Sequence, residues 1–574
     1  MTSEPADQLV PTDQLVPAGT RLRPDASARL LAGGRILVGG APVRVLRLTP
    51  AGARQVATWL AGAPVPDTRP ARALARRLLD VGIAHPAVDV GVARLAVGVG
   101  VVHPDTADGS WPGLADVTIV VPARDRVAML ARCLAGLTQP GQPPVIVVDD
   151  GSADAPAVAA AAAAAGACLV RRPRSGGPGA ARNTGAAAVG TPVVAFVDSD
   201  CVPRPGWLEP LLAHFADAAV GAVAPRIVAH EQGTTWLGRY EGVGSALDMG
   251  PRGSVVSPGT RVPYVPTAAL VVRREAIGRG FAEDMQAGED VDFVWRLAAS
   301  GWRVRYEPGS AVAHQHRIRL RPWFRRRMHY GTSAAVLEAR HPGMVRPLNV
   351  SRWTAAAWLA VAVGSPLAGV AVGSIATALL ARRLAAVTDE RWPLPGPSSP
   401  AAGAATATDV SSAADASWTA WRLAVRLAAG GTVAAGRPIG AAITRAWWPV
   451  AVPAAVAVPR LRAPLAALML VPPLLDWVEL RPPLDPARYL AGRLLGDVAY
   501  GIGLWKGCVR QRDVRALLPA TGVRAKHDDQ VRHSRILLKA MNYFHIAISM
   551  ARLCVTVSMR DVIRREASWP GSSS

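Results

Sequence analysis

Asp198 and Asp200 close the apolar run Phe196-Val197, and no pattern in the chain has more chemical content. Residues i and i+2 at an extended strand end project to the same side. Two carboxylates so placed can hold one Mg2+ or Mn2+ while the phosphates of a substrate supply further ligands. Such an ion neutralises charge on a departing diphosphate. A solvated acidic turn has the same spacing, so the pair gains its meaning from its company.

Four further groups supply that company. Val121-Pro122-Ala123-Arg124-Asp125 and Val147-Val148-Asp149-Asp150-Gly151-Ser152 each follow an apolar run. An Asp at such a strand end can accept a hydrogen bond from a nucleobase N–H, and Gly-Ser lets the backbone turn close to a ligand. A plain strand-to-helix turn reads the same way. Arg174-Ser175-Gly176-Gly177-Pro178-Gly179-Ala180-Ala181-Arg182-Asn183 is a glycine-rich loop opening a helix, whose free N–H groups suit an anion. Arg182 and Asn183 fall in its first turn, able to face a nucleotide. The loop lacks the Gly-Lys-Ser/Thr of a Walker loop and is not a dinucleotide fingerprint. Glu289 and Asp290 open a helix marked by Val291, Val294 and Leu297, where a carboxylate can take a proton from an attacking hydroxyl. Capping and dipole compensation also place acids there. Finally, His314 in Val312-Ala313-His314-Gln315-His316 can complete a metal site, with His316 as the alternative.

The elements that must position these groups alternate. Strands are predicted at 117–121, 145–148, 169–171 and 193–197, and helices at 127–137, 155–165 and 179–188. That order means βαβ units and a parallel sheet, whose ligands bind beyond the carboxyl ends of the strands.

The five elements in this order resemble the family 2 glycosyltransferases with the nucleotide-diphospho-sugar transferase fold, an α/β, Rossmann-like, GT-A type domain. The resemblance covers about 115–316. It implies that Pro122, Asp125, Asp149 and Asp150 hold the nucleoside, with Arg182 and Asn183 near the diphosphate. Asp198 and Asp200 would be the metal motif, with His314 as an additional ligand. Asp290 would be the base of the Glu289-Asp290 pair in one inverting displacement. The Gln-x-x-Arg-Trp motif of processive polysaccharide synthases is not found after His316. More narrowly, Leu37-Val38-Gly39-Gly40, Leu46 to Arg54, Gly176 to Gly185 and Asp497-Val498-Ala499-Tyr500-Gly501 resemble the mycofactocin-system glycosyltransferases. That likeness implies a hexosyltransferase carrying glucose from UDP-glucose, through β links, to a peptide-derived redox cofactor. The rival within enzymes is a transferase for cell-envelope glycolipid or polysaccharide, acting on a lipid-linked acceptor.

At 574 residues the chain has room for several domains. Residues 1–19 read as a disordered lead with acidic residues and no apolar core, not a signal peptide. Residues 20–90 suit a small winged-helix-like domain: strands at 36–38 and 43–46, then helices at 50–60 and 70–81. It is similar to the peptide chaperones of pyrroloquinoline-quinone pathways, and a structural cap on the main domain is the equal alternative. The catalytic domain is expected over 115–345. A transmembrane helix is expected over 353–381, which lacks charged residues. A Pro/Ser/Ala-rich linker follows at 388–415. Residues 416–520 read as helical and membrane-associated, and 524–574 as an atypical tail.

The net charge of +22 admits nucleic acid, an anionic membrane or phosphate-bearing substrates as partners. Its densest cluster, Arg317 to Arg327, precedes the apolar stretch and favours the membrane, with the catalytic domain on the cytoplasmic side. A nucleic-acid reading would need Arg69, Arg72, Arg76 and Arg77 in a groove and leaves the five elements unexplained, so no nucleic acid is expected. The five cysteines show no zinc spacing.

Overall fold

The computed structural model describes residues 15–31, 34–87, 112–139, 141–230, 233–316, 318–362, 365–388 and 421–520. The expected tail at 524–574 and nearly all of the 388–415 linker lie outside them. So do residues 1–14 of the expected lead, whereas Val16 is fully buried in the core that follows.

The chain divides into two compact units. The first holds the chain up to Arg326, with 374–430 and 474–493. It starts with strands β1 (Leu22–Pro24), β2 (Arg29–Leu31), β3 (Ile36–Gly39) and β4 (Arg44–Arg47), helices α1 (Pro50–Leu60) and α2 (Arg69–Asp80), and β5 (Ala84–Pro86). Thr49 caps α1, its hydroxyl accepting from the Gly52 N–H, and Pro50 sits where its missing donor costs nothing. β2-β3-β4 form an antiparallel sheet and β1 pairs with β5. Leu37, Val56, Trp59, Ala75, Leu78 and Ile83 fill the core between them.

The catalytic part of this unit alternates strand and helix: β6 (Val117–Ala123), α3 (Val127–Leu137), β7 (Val145–Asp150), α4 (Ala155–Ala164), β8 (Cys168–Arg172), α5 (Pro178–Ala187) and β9 (Val193–Val197). It continues through β10 (Cys201–Pro203), the one-turn α6 (Glu209–Leu212), β11 (Val220–Ala229), α7 (Trp236–Gly244), β12 (Ser254–Val255), β13 (Ala269–Arg273), α8 (Glu289–Ala299) and β14 (Arg303–His314). β6, β7, β8 and β9 are parallel, as the alternation requires. The sheet as a whole is not. Its order is β10-β14-β11-β13-β9-β6-β7-β8, and β13 runs antiparallel to both β9 and β11. Beyond β9 the connections are no longer single crossover helices, so nothing keeps successive strands in one direction.

The two parts of the first unit are tied by charge. Arg76 of α2 donates twice to Asp217, both at 2.6 Å. Arg303 meets Asp80 and Arg261 meets Asp25, each through two hydrogen bonds. Arg76 is thus buried against the catalytic part.

The second unit holds 327–373, 431–473 and the chain from 494. Its long helix, Pro486–Gln511, begins in the first unit. Asp497 accepts from Thr444 Oγ1 and Arg445 Nε at 2.7 and 2.6 Å. A Cβ on Gly501 would lie 2.2 Å from the Arg445 carbonyl, so the Asp497-to-Gly501 segment closes a helix crossing. Where one helix was expected over 353–381, there are two, which follow α9 (Leu320–Arg340): α10 (Arg352–Ala362) and α11 (Pro366–Thr388). Pro366 has no N–H to continue α10, and helices usually end before the residue that precedes a proline. Two other helical stretches, Trp421–Ala457 and Pro459–Leu480, are long and apolar enough to cross a membrane, and little of the second is buried.

Candidate active site

All the predicted residues lie at the carboxyl ends of the parallel strands or on elements that return there. Asp149 and Asp150 end β7, and Gly151 turns the chain at φ +70. Any Cβ there would sit 2.7 Å from the Ser175 N, so this turn and the glycine loop must touch. Asp150 makes that contact. Its carboxylate accepts from Arg172 Nε (2.8 Å), Ser175 Oγ (2.7 Å), Gly176 N (3.0 Å) and Gly177 N (2.9 Å). Burial alone would raise its pKa, but these donors hold it below the usual range. Gly177, at φ +91, and Pro178 then start α5. Asp149 is fully buried and accepts from Ser152 N and Arg171. The backbone N–H of Asp125 donates to Ser152 Oγ, and its carboxylate accepts from Ala153 N. Pro122 lies beside it in β6.

The buried Arg182 bridges two distant acids. Its Nη2 donates to Asp198 at 2.7 Å and its Nη1 to Glu289 at 3.0 Å. Its guanidinium stacks over Phe281, 5.4 Å from the ring centre. These two acids and the adjacent Asp290 keep the guanidinium firmly protonated despite burial. Asn183 faces elsewhere: its amide bonds the backbone of Phe281 and the Glu283 carboxylate. It pins the turn that carries Phe281.

Asp290 is the chemically distinct member. Burial first, then the charge of Glu289, push its carboxyl up to about 7, against the pull of Arg182 and the Val291 N–H. Asp198 is also held above the usual range by burial, resisted by Arg182 and reinforced by Asp200. Asp200 goes the other way, to about 2. The cost of burial is outweighed by the hydrogen bond from His314 and by the fields of Arg326 and Arg126.

Asp200 Oδ1 and His314 Nε2 lie 3.4 Å apart. Neighbouring ligand atoms around an octahedral ion at about 2.1 Å are roughly 3.0 Å apart, so this pair fits one divalent cation. Asp198 is turned to Arg182 instead. Among the described residues no group of three His, Cys, Asp or Glu side chains is gathered for a metal. His316 stands beyond His314, with Nδ1 atoms 3.4 Å apart, next to the buried Glu241.

Sequence reasoning missed Arg172 and Ser175, which hold Asp150, Arg126, 3.7 Å from Asp200, and Phe281 under Arg182. Arg172 was findable, since it ends the strand beside Asp150. Phe281 carried no local signal.

A mixed α/β sheet with this acid cluster at its strand ends defines a GT-A type glycosyltransferase. Residues 118–281 match the model of Glycosyl transferase family 2. Over 490 residues the chain is 38% identical to the pre-mycofactocin glycosyltransferase of Mycobacterium tuberculosis, covering 84% of this chain and 93% of that protein. The chain therefore belongs to the family 2 glycosyltransferases, within the mycofactocin-system group. A second relative, the succinoglycan biosynthesis protein ExoU of Rhizobium meliloti, is 30% identical over 33% of this chain and 59% of its own length. A solved mannosyltransferase from Pyrobaculum calidifontis, in complex with GDP-Man and Mn2+, aligns with 56% of this chain and 90% of its own at 17% identity and a TM-score of 0.31.

Proposed function

We propose that this chain transfers glucose from UDP-glucose to the peptide-derived precursor of a redox cofactor, pre-mycofactocin, forming β links. The observation that carries the acceptor is the 38% identity running through 93% of a pre-mycofactocin glycosyltransferase. The observation that carries the reaction is Asp290, a carboxyl poised near 7 beside the acid pair at the strand end.

The geometry supports the following roles. The nucleoside lies on the ledge of Pro122 and Asp125, whereas Asp149, expected there from the sequence, is fully buried and holds the turn from beneath, and Asp150 fixes the glycine loop. The free N–H groups at the start of α5 face the diphosphate. Asp200 and His314 would hold a Mg2+ or Mn2+ that screens the diphosphate's charge. The acceptor hydroxyl attacks the anomeric carbon and its proton passes to Asp290. The new C–O bond forms as the bond to the diphosphate oxygen breaks, inverting the centre. Arg182 holds Asp198 and Glu289 in register with that base. The exposed apolar helices keep the enzyme at a membrane, with its catalytic part towards the cytoplasm.

The test is turnover by the purified full-length protein, with UDP-glucose, Mn2+ or Mg2+, and pre-mycofactocin or a lipid-linked sugar as acceptor. Glucosylation of pre-mycofactocin with β anomeric signals supports the reading. Turnover of the lipid-linked acceptor alone moves the protein to envelope glycolipid synthesis. An α product overturns the inverting mechanism.

A further inference from the structure

The charge-free stretch 353–381 has arginine at both ends: Arg352 before it, Arg382 and Arg383 after it. A spanning helix would put one of these ends on the far side of the membrane, against the tendency of arginine to stay cytoplasmic. The structure removes the conflict. The stretch is two helices, and neither has a charge-free run long enough to cross. The 11 residues of α10 reach about 16 Å, and the charge-free part of α11, Pro366–Ala381, about 24 Å, against a hydrocarbon core of about 30 Å.

The two helices fold back on each other. A Cβ on Gly369 would lie 2.8 Å from the Ala357 carbonyl oxygen and 2.7 Å from Val361 Cγ2, so α11 starts in direct contact with the last turns of α10. Val361 and Gly369 are equally far from Ser365, as at a reversal. Ser365 N donates to Ala360 O, and Ser365 O accepts from Gly369 N, closing one helix and opening the next. The backbone groups freed at the break are thus partly met from within, a requirement for chain that enters hydrocarbon.

The turn is apolar and uncovered. Leu367 is 84% exposed, and Leu359, Val370 and Ile375 more than half exposed. From Ser365 to Arg382, Gly369, Thr377 and Ala381 are the buried residues, and the remainder are exposed or partly so on every other face. A protein groove covers one face of a helix, whereas a helix apolar all round suits lipid.

We infer that α10 and α11 form a re-entrant hairpin that dips its Leu359–Leu367–Val370 end into one leaflet of the membrane and returns to the same side. Arg352 and Arg382 then both meet the anionic headgroups of the cytoplasmic leaflet. The inference rests on the membrane reading above, and it places the chain before α10 and the chain after α11 on one side.

Cysteine accessibility in membranes from cells making the full-length protein tests it. The background carries Cys168→Ser and Cys554→Ser, since Cys133, Cys201 and Cys508 are buried. Single cysteines are placed before the hairpin (Asn349→Cys), at its turn (Leu367→Cys) and after it (Ala385→Cys), and a membrane-impermeant maleimide is applied from either side. The expected result is labelling of Asn349→Cys and Ala385→Cys from the cytoplasmic side alone, with loss of Leu367→Cys labelling until detergent is added. Labelling of Asn349→Cys and Ala385→Cys from opposite sides would mean that the stretch spans, and overturns the hairpin. Free labelling of Leu367→Cys in protein that stays with the membrane overturns the inserted turn while leaving the membrane reading intact. Recovery of the protein in the soluble fraction, with all three sites labelled, overturns both. A Leu367→Asp variant is expected to shift protein from membrane to soluble fraction without changing its specific activity.

Discussion

Two buried carboxylate clusters in the first unit make opposite use of the same chemistry. In the N-terminal part Asp25 receives the N–H and hydroxyl of Ser27, a bond from His85 and two from Arg261. Burial would raise its carboxyl, yet these donors hold it far below the usual range. Burial also lowers His85, partly offset by Asp25, so the histidine stays neutral near pH 7. At the strand ends of the catalytic sheet, three acids, Asp198, Glu289 and Asp290, share the single buried cation Arg182. Among the described residues Asp290 has one hydrogen bond, from the Val291 N–H. The first cluster has more donors than it needs and is a clasp. The second is short of donors and keeps a proton near neutral pH. Burial raises both carboxyls, and the donors that reach each one decide whether the rise survives.

The sharpest test of that contrast is Asp290→Asn. It is expected to lower kcat by roughly 10²–10⁴-fold, the usual worth of a general base, with UDP-glucose binding by calorimetry nearly unchanged. A fully active, folded variant would break the comparison. Asp25→Asn should do the reverse. Removing one partner of a buried ion pair costs about 3–5 kcal/mol, read as a lower denaturation midpoint, while activity per folded molecule holds.

The two clusters should also respond to pH with opposite sign. Asp25 is lower in the folded state than in the unfolded chain. Its stabilisation is therefore complete above about pH 4 and is lost as pH falls below that. Asp290 is raised to about 7. Between about pH 4 and 7 the folded state binds the extra proton, so its contribution to stability declines as pH rises. Activity should climb over that same window, and kcat/KM should show an acidic limb inflecting near 7. A flat profile from pH 5 to 8 would remove Asp290 as base.

Asp200→Asn sharpens the division within the site. A lost ligand should cost metal affinity at least the 10–100-fold typical of an outer-shell partner, seen by Mn2+ titration with UDP present. The smallest effect is expected from Gly185→Ala. Its Cβ would lie 2.3 Å from Val120 Cγ1, so overpacking should cost about 1–3 kcal/mol of stability and leave the pH profile untouched.

Much of the sheet was legible. The runs at 117–121, 145–148 and 193–197 are almost continuously apolar because central parallel strands are covered on both faces, whereas the run at 169–171 includes Arg171 and lies on the half-exposed edge strand. The later strands were harder, because β10 to β14 are joined by long and varied excursions that leave no period. The mixed sheet was missed for that reason. Composition alone makes the apolar stretch 353–381 one helix, whereas Gly364-Ser365-Pro366 marks its break.

The sequence by itself determined which groups stand at the strand ends, because strand period and turn chemistry are local. It also determined the family, because the order of motifs survives in the chain. Only the tertiary structure decided which donors reach those groups. Arg182 and Glu289 are 107 residues apart, and among the described residues Asp290 has no ion pair of its own. Whether a carboxylate is a clasp or a base depends on how many donors reach it in a dry site. That number is set by contacts between distant segments, which no local pattern records.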